Sequence, residues 1–137
     1  NALVPVHWQL PAGVPQILGD AAQLRQVVHN LIQNAQAACQ AAAKPQVQVL
    51  TEWRPQSSRV RLSIEDNGPG FSAAVLQRAF EPYVTTKASG TGLGLAVVKK
   101  ISDEHNARIE LKNKMQDDLI TGAQVSLSFR VTAFSST

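Results

Sequence analysis

Residues 59–70 read RVRLSIEDNGPG. Val60, Leu62 and Ile64 alternate with Arg59, Arg61, Ser63 and Glu65, the two-residue period of a strand with one buried face. Asp66 has the parity of the apolar set. Its carboxylate therefore leaves the strand on the buried side, where an unpartnered charge is costly. Asn67-Gly68-Pro69-Gly70 then turns the chain. Two readings of Asp66 fit these residues. It accepts a hydrogen bond from an enclosed amino group, such as the exocyclic amine of adenine, or it initiates the Asn67-Gly68 turn through its own backbone.

Upstream, residues 46–54 form a second strand, joined to the first by Pro55-Gln56-Ser57-Ser58. Residues 20–43 read as the main helix: Leu24, Val27, Val28, Leu31, Ile32, Ala35, Ala38 and Cys39 fall on one stripe. Asp20 is placed to cap it, with Gln23 in capping-box position, and Pro45 to stop it. Residues 4–10 (VPVHWQL) fit a short edge strand limited by Pro5 and Pro11. Downstream, residues 72–79 allow a short helix. Residues 80–92 lack periodicity and read as a mobile loop. A helix follows from about 92 to 105, then strands near 107–113 and 123–132, the last with Val125, Leu127, Phe129 and Val131 inward. The expected fold is α+β, a two-layer sandwich in which a mixed, mostly antiparallel sheet is covered on one face by three helices.

The 137 residues fit one domain with little room for a second. Hydrophobic residues make up 44% and charged residues 17%, an ordinary globular balance. The net charge of +3 comes from basic residues scattered singly or in pairs, which argues against nucleic-acid binding. With one cysteine, Cys39, no intrachain disulfide can form. No apolar run approaches the roughly 20 residues that cross a bilayer, so no membrane contact is expected of this segment. Beginning at Asn1 rather than Met, the chain reads as a piece of something longer.

Three further groups of residues carry chemistry. Gly90-Thr91-Gly92-Leu93-Gly94-Leu95 runs straight into a helix, so backbone N–H groups and the positive end of the helix dipole face any anion held there. The same glycines also serve a plain helix entry. The run is neither a Walker A loop nor a dinucleotide fingerprint, since position 95 is Leu. Asn30 and Asn34 lie one helical turn apart. They suit a hard cation such as Mg²⁺, or a solvated face. Lys87, after Thr85 and Thr86 in the loop, is either a mobile charge for a terminal phosphate or simply solvated.

In their order along the chain these features resemble the GHKL, or Bergerat, ATP-binding fold, and more narrowly the catalytic domain of sensor histidine kinases. Leu31-Ile32-Gln33-Asn34-Ala35 matches the family's N box, Asp66 to Gly70 its G1 box, Phe80-Glu81-Pro82-Tyr83 its F box and Gly90 to Leu95 its G2 box. Gly122-Ala123-Gln124-Val125 is a weak G3-type box. The match spans about 20–132. The run from Glu81 to Lys87, with Lys99-Lys100-Ile101, looks most like nitrogen-regulation sensor kinases of the NtrY type.

The resemblance implies ATP and Mg²⁺ as ligands. Asp66 would hold the adenine amine, Gly68 and Gly70 would line the nucleotide, and Asn34 would ligate Mg²⁺ with Asn30 beside it. The lid would span about 80–92. Lys87 and the amides of Gly92, Leu93, Gly94 and Leu95 would contact the phosphates, and Thr86, Gly90 and Thr91 would also bind ATP. The γ-phosphate would pass to a histidine on a separate dimerisation and phosphoacceptor domain, absent from this chain, and onward to a response regulator. The resemblance also implies a cytoplasmic domain, with an inner-membrane sensor as one form of the parent protein.

Several positions depart from the family pattern. Ala37 stands where many members carry Lys. Gln124 stands where Thr is usual, which puts its contact near the base in doubt. Asn106-Ala107 replaces a Gly-Gly pair, and Asn tolerates the left-handed cap conformation. ATP-hydrolysing relatives place Glu where Asn30 stands, and an amide cannot take a proton from water. No acidic residue follows His7, His29 or His105, so all three read as structural and the fragment should not phosphorylate itself. The competing readings are a GHKL ATPase switch and a degenerate, non-catalytic nucleotide-binding module.

Overall fold

β3 (Arg59–Asp66) is the middle strand of a five-stranded sheet ordered β1-β2-β3-β5-β4. The computed structural model describes residues 4–78 and 91–131. Along the chain the elements are β1 (Val6–Gln9), α1 (Ala21–Cys39), β2 (Val47–Arg54), β3, α2 (Ala73–Arg78), α3 (Thr91–Glu104), β4 (Arg108–Gln116) and β5 (Leu119–Arg130). β1 pairs parallel with β2 at the sheet edge, and the remaining pairs are antiparallel. The sheet is therefore mixed and mostly antiparallel, with one face buried as the alternation predicts.

The inward face carries Val47 and Val49 of β2, Val60 and Ile64 of β3, and Leu127 and Phe129 of β5, all buried. α1 sets Val27, Leu31, Ala35 and Cys39 on them, and α3 adds Leu95, Val98 and Ile101. The other face of the sheet is polar. Asp20 caps α1, its Oδ1 accepting from the N–H of Gln23 at 3.0 Å. The reciprocal half of the expected capping box is replaced by a long-range bond: the N–H of Asp20 donates to Nε2 of His105.

Two boundaries differ from the sequence expectation. α1 stops at Cys39, short of Pro45. Lys44 precedes a proline and so resists the helical region, and its carbonyl is taken by the side chain of Asn67. The β4–β5 hairpin reaches further than expected, to Gln116 and back from Leu119. Asp117 (φ 51°) and Asp118 (φ 64°) form its two-residue turn with both residues left-handed, which follows the strand twist. Asn106, at φ 55°, closes the end of α3 as its tolerance of that region predicts.

Cys39 is fully buried, as its place on the apolar stripe predicts. His105 is structural: Nδ1 lies 2.9 Å from the carbonyl of Ile101, and Nε2 faces the N–H of Asp20. Nε2 accepts, so the proton sits on Nδ1. Among the described residues no cluster of His, Cys, Asp and Glu could hold a metal. No helix among them is long and apolar enough to cross a membrane.

Candidate nucleotide-binding site

Asp66 ends β3 between Val47 of β2 and Ala123 of β5 and is 6% exposed. The backbone N–H of Gly68 donates to its Oδ1 at 2.8 Å. That bond is the turn-initiating contact, so the structural reading of Asp66 holds for one oxygen. Burial pushes the carboxyl above the ordinary carboxylate range. The backbone N–H groups of Gly68 and Ala123 and the charge of Lys114 pull it down and do not prevail.

The turn is pinned on three sides. Asn67 accepts from the N–H of Gln46 at 3.0 Å and donates to the carbonyl of Lys44 at 2.7 Å, clipping the turn to the α1–β2 link. A Cβ on Gly68 would come 2.6 Å from the carbonyl oxygen of Ala38, so only glycine lets the turn close on the end of α1. Gly70 sits at φ +85°, with Asn113 and Ile120 against it. Asn113 of β4 then holds Phe71 by both backbone groups: its Oδ1 accepts from the N–H at 2.6 Å and its Nδ2 donates to the carbonyl at 3.0 Å.

α1 supplies the adjoining wall. Asn30 and Asn34 are half-buried, one turn apart. The Nδ2 of Asn34 is buried and has no hydrogen-bond partner among the described residues. A buried unpaired amide is costly, and rotating it brings donor or acceptor to the same point. This orphan fits the end of an amide that engages a phosphate oxygen or a bound cation.

The contact between Asp20 and His105 sets the start of α1 beside the end of α3, so the two packed helices run in opposite senses. At about 1.5 Å per residue α3 is roughly 20 Å long. Its first turn thus lies toward Asn34 rather than toward the start of α1. That turn, Thr91 to Gly94, offers the free N–H groups that every helix start leaves. Leu95 is buried in the core, so its side chain anchors α3 and only its backbone can face a ligand. Thr86, Lys87 and Gly90, with most of the expected lid, lie outside the described residues.

The family model described as histidine kinase-, DNA gyrase B-, and HSP90-like ATPase, HATPase_c, matches residues 19–133. The chain belongs to the HATPase_c family. It is 39% identical over 110 residues to the sensor protein kinase PilS of Pseudomonas aeruginosa, covering 80% of this chain and 21% of that protein. A putative NtrY-like sensor histidine kinase of Rickettsia conorii is 32% identical over 110 residues, covering 80% and 17%. The chain therefore spans about a fifth of the length of these relatives. The full-length kinase ShkA, solved in complex with AMPPNP, superposes with a TM-score of 0.75 at 29% identity, over 95% of this chain and 26% of that one.

Within this HATPase_c domain two positions gain a physical reason that the sequence reading lacked. A Cβ on Gly122 would run into the carbonyl oxygen of Asp66, so glycine there lets β5 close on the end of β3. Asn113 lies outside every motif of the sequence, although an Asn inside a strand is a poor strand former and signals a special contact. The doubt over Gln124 also resolves. It pairs with Glu65 and Lys112, and its Nε2 donates to Ser63 at 3.3 Å on the open face of the sheet. The residue beside Asp66 is Ala123.

Proposed function

We propose that this HATPase_c domain binds Mg²⁺-ATP between Asp66 and the start of α3. It would then present the γ-phosphate to a histidine on a separate helical dimerisation domain of a two-component sensor kinase. The observation that carries the proposal is the combination of a buried carboxylate at a strand end with a buried amide nitrogen, that of Asn34 on the adjoining helix, that has no partner among the described residues. Asp66 would accept from the adenine amine. Gly68 and Gly70 would leave room for the base, and the N–H groups of Gly92 to Leu95 would hold phosphate oxygens. Thr86, Lys87, Gly90 and Thr91 complete the proposed phosphate contacts.

Asn34, with Asn30 beside it, would hold Mg²⁺ through side-chain oxygen. When bound, the ion supplies neutralisation of phosphate charge. The protein's own contribution would be positioning: a buried carboxylate for the base, a fixed turn beneath it, and helix amides toward the tail. The relatives are named as sensor kinases, and the complex of ShkA with AMPPNP supports an adenine nucleotide as the ligand here. The whole chain would form one domain, with the phosphoacceptor elsewhere in the parent and a response regulator downstream. Dependence on ATP would place the domain on the cytoplasmic side, whether or not the parent is anchored in an inner membrane.

Asn30 separates this reading from a hydrolysing switch, because its amide cannot accept a proton from water. The test has two parts. Titration with a fluorescent ATP analogue, with and without Mg²⁺, should show Mg²⁺-assisted binding that Asp66→Asn weakens. Radiolabelled ATP should leave this chain unlabelled but label a dimerisation-domain histidine supplied separately. Steady hydrolysis at the rate of a switch ATPase, or an Asp66→Asn variant that binds as well as the parent, would sink the proposal.

A further inference from the structure

The basic residues look scattered in the sequence, yet the fold gathers five arginines at one corner of the open sheet face, away from the nucleotide site. The strand register shows how. Arg59 of β3 stands between Arg54 of β2 and Arg130 of β5. In the next row, Arg61 stands between Glu52 and Ser128, and Ser128 pairs with Arg108 of β4. Paired residues share a face, so the guanidinium groups project from the same side. Arg54, Arg59, Arg61 and Arg108, with Ser126 and Ser128, line a recess of about 570 Å³.

The local charge is under-compensated. Arg54 contacts Glu52 at 3.1 Å and Arg61 contacts Glu110 at 3.7 Å. Among the described residues, no carboxylate lies within ion-pair distance of Arg59, Arg108 or Arg130. Five arginines against two glutamates leave three positive charges, equal to the net charge of the whole chain. Arg59 is 8% exposed and among the described residues bonds only neutral oxygens: its Nε donates to Ser128 Oγ and its Nη2 to the Ser128 carbonyl. Burial, then Arg108 and Arg130, depress its pKa. Like charges opposed across strands destabilise a sheet, so the corner is electrostatically strained and an anionic partner would relieve it.

We propose that this corner is a docking surface for an acidic, extended polypeptide segment. The exposed cations of the corner are Arg54, Arg108 and Arg130, one on each of β2, β4 and β5, and the buried Arg59 and half-buried Arg61 add charge from beneath. An extended chain laid across these strands would bring carboxylates to these three guanidinium groups, whose planar forks suit carboxylates. Nucleic acid fits less well. The paired rows of the open face from Arg54 to Lys112 hold no Phe, Trp or Tyr on which a base could stack. Glu52 and Glu110 would also repel a continuous phosphate backbone. The surface is separate from the nucleotide site and its occupation does not depend on ATP.

The test uses a short fluorescein-labelled oligoglutamate peptide and an oligoglutamine peptide of equal length, titrated against the 137-residue chain. Arg54 and Arg108 are exposed, so an R54E/R108E double variant should fold. Its circular dichroism and its affinity for the ATP analogue should match the parent. Binding of oligoglutamate should fall about tenfold or more in that variant and weaken with added salt, while oligoglutamine should not bind. The proposal is overturned by unchanged oligoglutamate binding in the variant, or by equal binding of oligoglutamine. Tighter binding of a single-stranded oligonucleotide of equal charge, or full displacement by an equal concentration of inorganic phosphate, would overturn it as well.

Discussion

The backbone N–H of Asp20 donates to Nε2 of His105 at 3.0 Å, joining residues 85 apart in sequence. The bond ties the first turn of α1 to the last turn of α3 and fixes their opposite senses. His105→Phe keeps an aromatic ring there but removes the acceptor for Asp20. The bond is open to solvent, so its loss should destabilise the domain by about 0.5–1.5 kcal/mol, the usual net worth of an intramolecular hydrogen bond. Urea unfolding of the variant beside the parent measures it, and an unchanged midpoint would show the bond to be incidental.

Gly122→Ala tests the closeness of β5 to the end of β3. The added methyl meets the carbonyl oxygen of Asp66, a backbone atom that cannot swing aside. A loss of roughly 1–3 kcal/mol is expected, as for other overpacked positions. Because the strain falls on Asp66, nucleotide affinity should drop as well.

Asp66 should trade stability for binding. Its carboxyl is raised above the ordinary range, mainly by burial. The folded chain therefore holds that proton more readily than the unfolded chain. The penalty is complete at pH values above the raised folded-state pKa. It is relieved as pH falls toward the ordinary carboxylate value of about 4. Asp66→Asn removes the charge and keeps an oxygen for Gly68. At neutral pH the variant should be at least as stable as the parent, and that advantage should shrink in acid. Its affinity for ATP should fall about tenfold or more, since a bond to a charged group is lost. Denaturation at several pH values, paired with nucleotide titration, would reveal both effects.

Asn113→Ala removes both bonds to Phe71 while leaving Asp66 and its neighbours in place. A cost of about 1–3 kcal/mol is expected. Hydrogen exchange at the amides of Gly68, Gly70 and Phe71 should quicken more than exchange in β3. Equal protection in parent and variant would mean that the turn stands without Asn113.

The strands, the three helices and the inward turn of Asp66 were legible because the period-two and helical patterns reflect burial on one face. The φ tolerance of Asn106 was legible for the same local reason. What stayed hidden depends on contacts between distant segments. Asp117-Asp118 lacks the usual glycine of a two-residue hairpin turn, so the end of β4 read too short. Gln124 sits next to the site in sequence but on the opposite face of the sheet. The five arginines lie in four separate strands, and only the register reveals them as neighbours. Asn113 acts through a loop 42 residues earlier, which no local window contains.

The chain holds a single thiol, Cys39, fully enclosed under the Asp66 turn. Burial first, and then the negative charge of Asp66, raises its pKa, so the reactive thiolate is doubly suppressed while the domain is shut. The molecule thus carries a built-in chemical clock: a thiol-specific reagent reaches Cys39 only during openings of the α1–β3 corner. Its rate of modification would count those openings without any engineered label, and an occupant that braces the corner would slow the count.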